Sequence, residues 1–592
     1  SAFMPDSAAR NRRADPVITE IVRAGVLAVT GEMKTNLMRT AYNLIIYEAL
    51  DFTCGLFTAD GRTVSIGLGL PMFIRGMGET IKAKLKHFGD DIAPGDILIT
   101  NDAYITGSHL NHVTLSVPIF LRGRLIGFSC CMAHWLDIGG VLASVTTDIY
   151  SEGLQIPILK LHRAGEVNQD VVDMIRMNVR VPERAMGDLR AQVSAVKTGE
   201  KRFLELVERY GADEVLASIE EIMDRSEDSA RAHTRTIPDG VYEAESFMDD
   251  DGVDLGKHVP IKVKITVRGD EAEIDLSDVS AQVRGFYNSG YSTAIACAQV
   301  AYKCITSPTD YPINDGSFRS LTVIAPPGRV VSAVKPAAMR RWMTFPMTIV
   351  DTIFKALAPA IPDRVAAGHH ADLIIAQLIG FTQNQFIFAG LSHAGGGWGA
   401  KKTEDGISAT IAMNDGDTHN SPIELLEVKY PLFAERYELV PDSGGAGRYR
   451  GGLGVDRAVQ PLIGLHLTSH IERSQCKPWG LFGGHDAMAN ALFIRKDGKD
   501  LGELPNAKAF TMPLKLGDSV TIRGGGGGGY GDPTEREPEK VREDVYQGYV
   551  SHAAARELYG VAIDPESLVV DLAATEALRA RMRARDRARP NG

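Results

Sequence analysis

The sequence predicts an α+β, multidomain chain of mixed β-sheets with flanking helices, β-rich in its central and C-terminal parts and ending in a helical tail. Three observations predict it. Apolar residues recur at helical spacing near the start and again between about residues 166 and 232. Alternating runs bounded by Gly, Asp and Asn fill the stretch from about 50 to 135, return after about 236, and return again from about 408 to 530. The last segments lose the alternation and become rich in Ala, Glu and Arg.

In chain order, residues 15–41 read as a long helix, with Pro16 where a missing N–H costs little and Ile18, Ile21, Val22, Val26 and Leu27 on one side. "FTCGLFTADGRTVSIG" reads as a hairpin turning at Ala59-Asp60-Gly61, with Asp51 just ahead of its first strand. "DILIT" is a strand and "NDAYITGSHLNH" a loop of turn formers. "VTLSVPIF" is a second strand, which turns through Arg122-Gly123-Arg124 into a third, "LIGFSCCMAHW". Alternating strands begin at "DGVYEAESFMDDDG", interrupted by helical stretches at 288–306 and 345–358. These changes of character divide the chain into an N-terminal α/β region (1–235), a β-rich central domain (236–345), an α+β glycine-rich domain (346–535) and a helical tail (536–592).

Composition excludes several roles. The 592 residues carry a formal net charge of −11, so the chain lacks the basic balance of a nucleic-acid binder. No run approaches the ~20 apolar residues of a membrane-spanning helix. "SAFMPDSAARNRRADP" has no apolar core and does not read as a secretory signal. Six cysteines without a C-x-x-C pair argue against disulfide scaffolds and four-cysteine zinc sites, and point to a reducing cytoplasm.

No phosphate loop of the form G-x-x-x-x-G-K-[ST] is present, and no G-x-G-x-x-G opens a helix after a strand. "GGGGGGYGDP" follows the strand "SVTIR" without a helix to hold a phosphate, so it reads as a flexible or closely packed turn. "DSGGAGRYRGGLG" is similar.

The histidines carry more. His109 and His112 stand three apart in "GSHLNHVTL". Side chains three apart in a strand face opposite ways, so the two converge only if the loop bends between them. A hairpin across Arg122 to Arg124 brings His134 beside His112. Asp51 is a carboxylate inside the otherwise apolar "YEALDFTCGLF", where burial is costly unless it is paired or bound to a cation. Asp51, His109, His112 and His134 together offer three imidazoles and one carboxylate. They read either as ligands for zinc, manganese or iron, or as hydrogen-bonded polar residues beside a hairpin.

The stretches "LDFTCGLFTADG", "GDILITNDAYITGSHLNHVTL", "HWLDIGG", "SEGLQIPILKL", "YPINDGSFR", "PDSGGAGRYRGGLG", "GGGGGGYGDP" and "VREDVYQGYVSHAAARELYGV", in this order, resemble the hydantoinase B / oxoprolinase family over nearly the whole chain. That resemblance implies an ATP-dependent amidohydrolase subunit opening a hydantoin, oxoproline or lactam. It implies a hydantoinase A-like partner that binds ATP and phosphorylates the substrate, hence a hetero-oligomer, and a divalent metal, zinc favoured. Ligands are implied at Asp51, His109, an acidic residue three positions later, and His134. Here the third position is His112, and Phe73 stands where relatives commonly have His. Asp137 is expected either to accept the water's proton, to orient His134, or simply to form the turn before Gly139-Gly140. Two other readings remain: a subunit of an ATP-dependent ketone carboxylase of the acetone or acetophenone type, and a non-catalytic scaffold with a degenerate metal site.

Overall fold

The computed structural model describes residues 14–142, 144–306, 312–382, 385–391, 395–416 and 418–587. The first helix is Pro16–Thr40. The Asp15 side chain caps it by accepting from the N–H groups of Val17 and Ile18, and Pro16 occupies its first turn. Its buried stripe is Val22, Val26, Val29, Met33 and Leu37. That stripe packs against the long helices Pro182–Tyr210 and Ala212–Thr234; the first helix and Pro182–Tyr210 lie against the first sheet.

That sheet has seven strands: β1 (Phe52–Thr58), β2 (Thr63–Leu68), β3 (Ile97–Thr100), β4 (His112–Leu121), β5 (Arg124–His134), β6 (Leu159–Arg163) and β7 (Glu166–Val167), in the order β2-β1-β5-β4-β3-β6-β7. The hairpin that sets the histidines differs from expectation in one detail. The turn has two residues, not three: Leu121 pairs with Arg124, and Arg122 and Gly123 both take positive φ (50° and 82°). Two left-handed residues match the twist of the flanking strands, which is why such turns are preferred. Continued without interruption, this turn would set Ala133 opposite His112. A bulge shifts the register between Ile119 and Phe120 and restores His112 opposite His134. A one-residue slip would have sent the two side chains to opposite faces.

The second sheet runs β11-β10-β9-β8, from β8 (Gly240–Met248), β9 (Val259–Arg268), β10 (Glu271–Asp275) and β11 (Leu321–Ile324). β9 buries Val259, Ile261, Val263, Ile265 and Val267 on one face, with alternate residues outward. The helices Tyr291–Thr306 and Thr344–Leu357 pack together, and the second lies across β8 and β9. The buried cluster under this sheet also takes in Phe57, Phe128 and Met132 of the first sheet, so one core crosses residue 235.

A third sheet, β13-β12-β16-β19, and a fourth, β14-β15-β20-β17-β18, share a core of Ile374, Leu378, Leu467, Leu492, Val520 and Ile522. Their strands are β12 (Ala376–Phe381), β13 (Phe386–Leu391), β14 (Leu432–Leu439), β15 (Val455–Pro461), β16 (Leu465–His470), β17 (Ala491–Lys496), β18 (Lys499–Glu503), β19 (Lys508–Leu514) and β20 (Ser519–Gly524). Beyond β20 the glycine run is buried and closely packed. Gly445 N donates to Gly527 O, Gly527 N to Gly452 O and Gly528 N to Gly368 O, at 2.8, 3.0 and 2.8 Å. The tail forms helices at Pro538–Tyr546, His552–Glu557 and Leu572–Arg587. All six cysteines are free thiols. No helix among the described residues is long and apolar enough to cross a membrane.

Candidate functional site

The ends of three adjacent elements meet at one point. Asp51 precedes β1, and its carbonyl accepts from His134 N at 3.1 Å. His134 ends β5 and His112 opens β4, directly opposite. His109 lies in the preceding loop, which turns back on itself where His112 N donates to His109 O at 3.2 Å. The bend that the spacing demanded is therefore present. The ring centroids stand 4.3 Å apart for His109 and His112, 4.8 Å for His109 and His134, and 5.3 Å for His112 and His134.

Hydrogen bonds fix what these rings present. His109 Nδ1 lies 3.1 Å from Arg340 O. A carbonyl only accepts, so the proton is on Nδ1 and Nε2 keeps its lone pair. His112 Nε2 is 3.0 Å from Asp51 Oδ1. His109 Nε2, His112 Nδ1 and His134 Nδ1 are buried without a hydrogen-bond partner. Burial, reinforced by His112, His134 and Arg341, holds His109 well below the usual histidine range. Burial also brings His134 down to about 4, with Asp51 opposing and His112 and Arg341 reinforcing. Both rings are neutral near pH 7 and offer lone pairs.

The donor types and the orphaned nitrogens suit a divalent cation held by nitrogen and oxygen. The spacing is less accommodating: among the described residues no group of three or more His, Cys, Asp or Glu is set at metal-ligand spacing. The rings pack against one another, edge to face or tilted, as uncharged aromatic groups do. They would have to turn about their side-chain torsions to close on a cation. Phe73 meets His112 edge-on at 4.8 Å and stacks on Trp342 at 5.8 Å, so it closes the cluster with hydrocarbon.

The cluster borders a cavity of about 550 Å³ lined by Asp51, His109, His134, Arg340, Arg341 and Asp415, among others. Burial pushes the Asp415 carboxyl well above the usual range, with Asp51 and Asp372 adding to the effect. Arg340, Arg341, Trp342 and Asp415 were not singled out from the sequence. The signal for three of them was an Arg-Arg-Trp run inside the otherwise apolar "AAMRRWMTFP".

Asp137 also lines the cavity, but its oxygens are engaged. Oδ1 accepts from Gly139 N at 3.1 Å and from Arg180 Nη1 at 2.7 Å, and Oδ2 accepts from Arg180 N. It makes no hydrogen bond to His134 among the described residues. Arg180→Ala is expected to leave this buried carboxylate short of its cation and to cost about 1–3 kcal/mol. An unchanged urea midpoint would contradict that.

His134 is positioned through a short relay. Its carbonyl accepts from Asn43 Nδ2 at 2.8 Å, and Asp188 Oδ1 accepts from the N–H groups of Tyr42 and Asn43. Burial pushes the Asp188 carboxyl up to about 6 against those two donors, and its Oδ2 has no partner. A carboxyl raised on folding stabilises the fold while protonated. That contribution is full below about pH 4 and is lost as pH rises through about 6. Asp188→Asn keeps the acceptor and removes the titration. It is expected to be more stable than the unmodified chain at pH 7.5, on the order of 1–2 kcal/mol, with the gap closing at pH 4. Parallel stability curves across that range would contradict it.

Comparison with known proteins decides the family. Residues 15–533 match the Hydantoinase B/oxoprolinase family. The chain belongs to that family. It is 34% identical to the caprolactamase subunit beta of Pseudomonas jessenii, over 96% of this chain and 99% of that one. The crystal structure of the ATP-dependent caprolactamase from that organism superposes with a TM-score of 0.89 at 31% identity, covering 96% of this chain and 100% of its own. 5-Oxoprolinase 1 of Arabidopsis thaliana is 25% identical over 88% of this chain, which spans 42% of that protein. A nucleotide-free acetone carboxylase structure matches with a TM-score of 0.89 at 21% identity, covering 99% of this chain and 85% of its own, which is a likeness of fold.

Proposed function

We infer that this member of the family is the catalytic B-type subunit of an ATP-dependent enzyme that opens a cyclic amide: a hydantoin, an oxoproline or a lactam. The observation that carries the reading is the convergence of Asp51, His109 and His134 on the wall of a cavity large enough for such a ring, with His112 packed against them. Its likeness to the P. jessenii caprolactamase subunit supports a lactam-type substrate and a partner subunit. In this reading ATP binds a hydantoinase A-like partner that phosphorylates the amide oxygen, in keeping with the lack of a phosphate loop in this sequence.

His109, His134 and Asp51 would hold a divalent metal, zinc favoured, with His112 as the fourth donor. A bound cation supplies Lewis acidity and brings water toward ionisation near neutral pH. The chain's own residues do the rest. The Arg340 carbonyl fixes the His109 tautomer. Asn43 anchors the end of β5. Phe73 and Trp342 exclude water from one side of the imidazoles, which strengthens every charge interaction inside. Asp137 holds the turn that forms part of the wall, and proton transfer falls to the imidazoles and Asp51.

The test is reconstitution. This chain, an A-type partner and ATP are mixed with hydantoin, 5-oxoproline or caprolactam, and ring-opened product is measured. Opening of one ring without bicarbonate is the expected result. Incorporation of labelled bicarbonate into product in place of hydrolysis would establish the carboxylase reading instead.

A further inference from the structure

Two guanidinium groups stand in the cavity wall beside the imidazoles. Arg340 and Arg341 both line the cavity, and neither forms an ion pair with a carboxylate among the described residues. Arg340 Nη1 is buried with no hydrogen-bond partner. Arg341 Nε donates to His470 Nδ1 at 3.2 Å, while its two Nη groups bond to nothing among the described residues. Buried His470 thus pins the root of the fork and leaves the tines free. Glu152 acts on Arg340 from a distance, but its oxygens accept from Thr146 Oγ1 and from the N–H groups of Met339 and Arg340. Elsewhere on the wall, Lys429 is taken up by the Tyr47 hydroxyl.

Two like charges side by side in a partly enclosed wall are costly unless an anion joins them. Guanidinium forks match the geometry of carboxylate and phosphoryl oxygens, which accept two parallel N–H bonds. The position is also apt. The Arg340 carbonyl holds His109, and Trp342, the next residue after Arg341, packs 6.4 Å from His109 and 5.7 Å from His112.

We propose that Arg340 and Arg341 form an oxyanion subsite that takes a phosphoryl or carboxylate group of the cavity's ligand and holds the reacting ring over His109 and His134. The second half of this statement rests on the cavity being the substrate site. The first half does not. Phosphoryl would come from a substrate activated by the partner, and carboxylate from the substrate itself.

The experiment uses the full chain alone, in EDTA so that no cation contributes, titrated calorimetrically with inorganic phosphate and with acetate. Saturable binding of at least one is expected, weakened at least ~10-fold in Arg340→Gln and in Arg341→Gln. Tighter phosphate than acetate assigns the phosphoryl source, and the reverse assigns the carboxylate. Arg341→Lys keeps the charge without the fork and is expected to lose affinity while melting within a few degrees of the unmodified chain, the bond to His470 being lost, which covers the case in which the Gln variants do not fold. No saturable binding of either anion, or equal affinity in the unmodified and Lys chains, would overturn the proposal. Neither result depends on ring opening, so the subsite and the proposed function can fail separately.

Discussion

His134→Ala and His109→Ala are each expected to lower ring opening by roughly a thousandfold in the enzyme reconstituted with the proposed A-type partner, with association unchanged. The reasoning is geometric. Each ring has a buried nitrogen with no hydrogen-bond partner among the described residues, and the three rings stand within 5.3 Å of one another centroid to centroid. Removing one would leave the proposed site unable to surround a cation or hold a proton at the required place. The Asp51–His134 and His109–His112 bonds are main-chain on both sides and survive both substitutions; His109→Ala loses one further bond, from Nδ1 to Arg340 O. The melting temperature therefore moves by only a few degrees, and the loss is chemical. His112→Asp, which supplies the carboxylate that the family resemblance implies at this position, keeps a ligand-type donor and is expected to retain activity within roughly tenfold. Full activity in both alanine variants would remove the imidazoles from the mechanism.

Gly527→Ala is expected to prevent the chain from folding stably, with a cost of at least ~3 kcal/mol. A Cβ at this residue would lie 1.9 Å from Trp398 O, and one at Gly451 would lie 1.7 Å from Gly527 O. The obstruction is backbone, not a flexible side-chain tip, so two main-chain segments must part. The glycines of this run are needed for space: of Gly524 to Gly531, only Gly531 has a positive φ, 76°. Gly165→Ala is the contrasting variant, because its Cβ meets nothing within 4 Å. Its φ of 95° still imposes strain, so a loss of about 1–2 kcal/mol is expected there. Equal stability of the two variants, by thermal or urea unfolding, would show that close packing does not decide this region.

The sequence made legible the elements whose patterns are periodic. The first helix, the alternating strands and the two helices that interrupt the central β region follow from spacing and turn residues alone. The site was legible as far as strand registry reaches: His112 opposite His134, and a bend after His109. Register was right although the turn is one residue shorter than expected, because the bulge at Ile119/Phe120 compensates for it. Bulges leave little trace in a sequence, so this agreement reflects two offsetting features. The glycine run shows why some contacts were out of reach. Its partners Gly368, Gly397, Gly445 and Gly452 come from distant segments, and no local pattern records which backbones will meet. Arg340 and Arg341 were hidden for a related reason. Their significance is that no carboxylate forms an ion pair with them among the described residues, and the lack of such a pair becomes visible only in three dimensions.

Asp137 illustrates the reverse. Its place before two glycines allowed both a chemical role and a turn. Arg180, through Nη1 and its backbone N–H, and the Gly139 N–H occupy its oxygens, which favours the turn.

The most direct measurement is the metal content of the purified chain, read by inductively coupled plasma mass spectrometry beside the His109→Ala and His134→Ala variants. The account predicts about one divalent cation per chain, lost in both variants, with ring opening abolished by chelator and restored by the same metal. Substoichiometric metal in a chain that opens the ring equally well in chelator would contradict it.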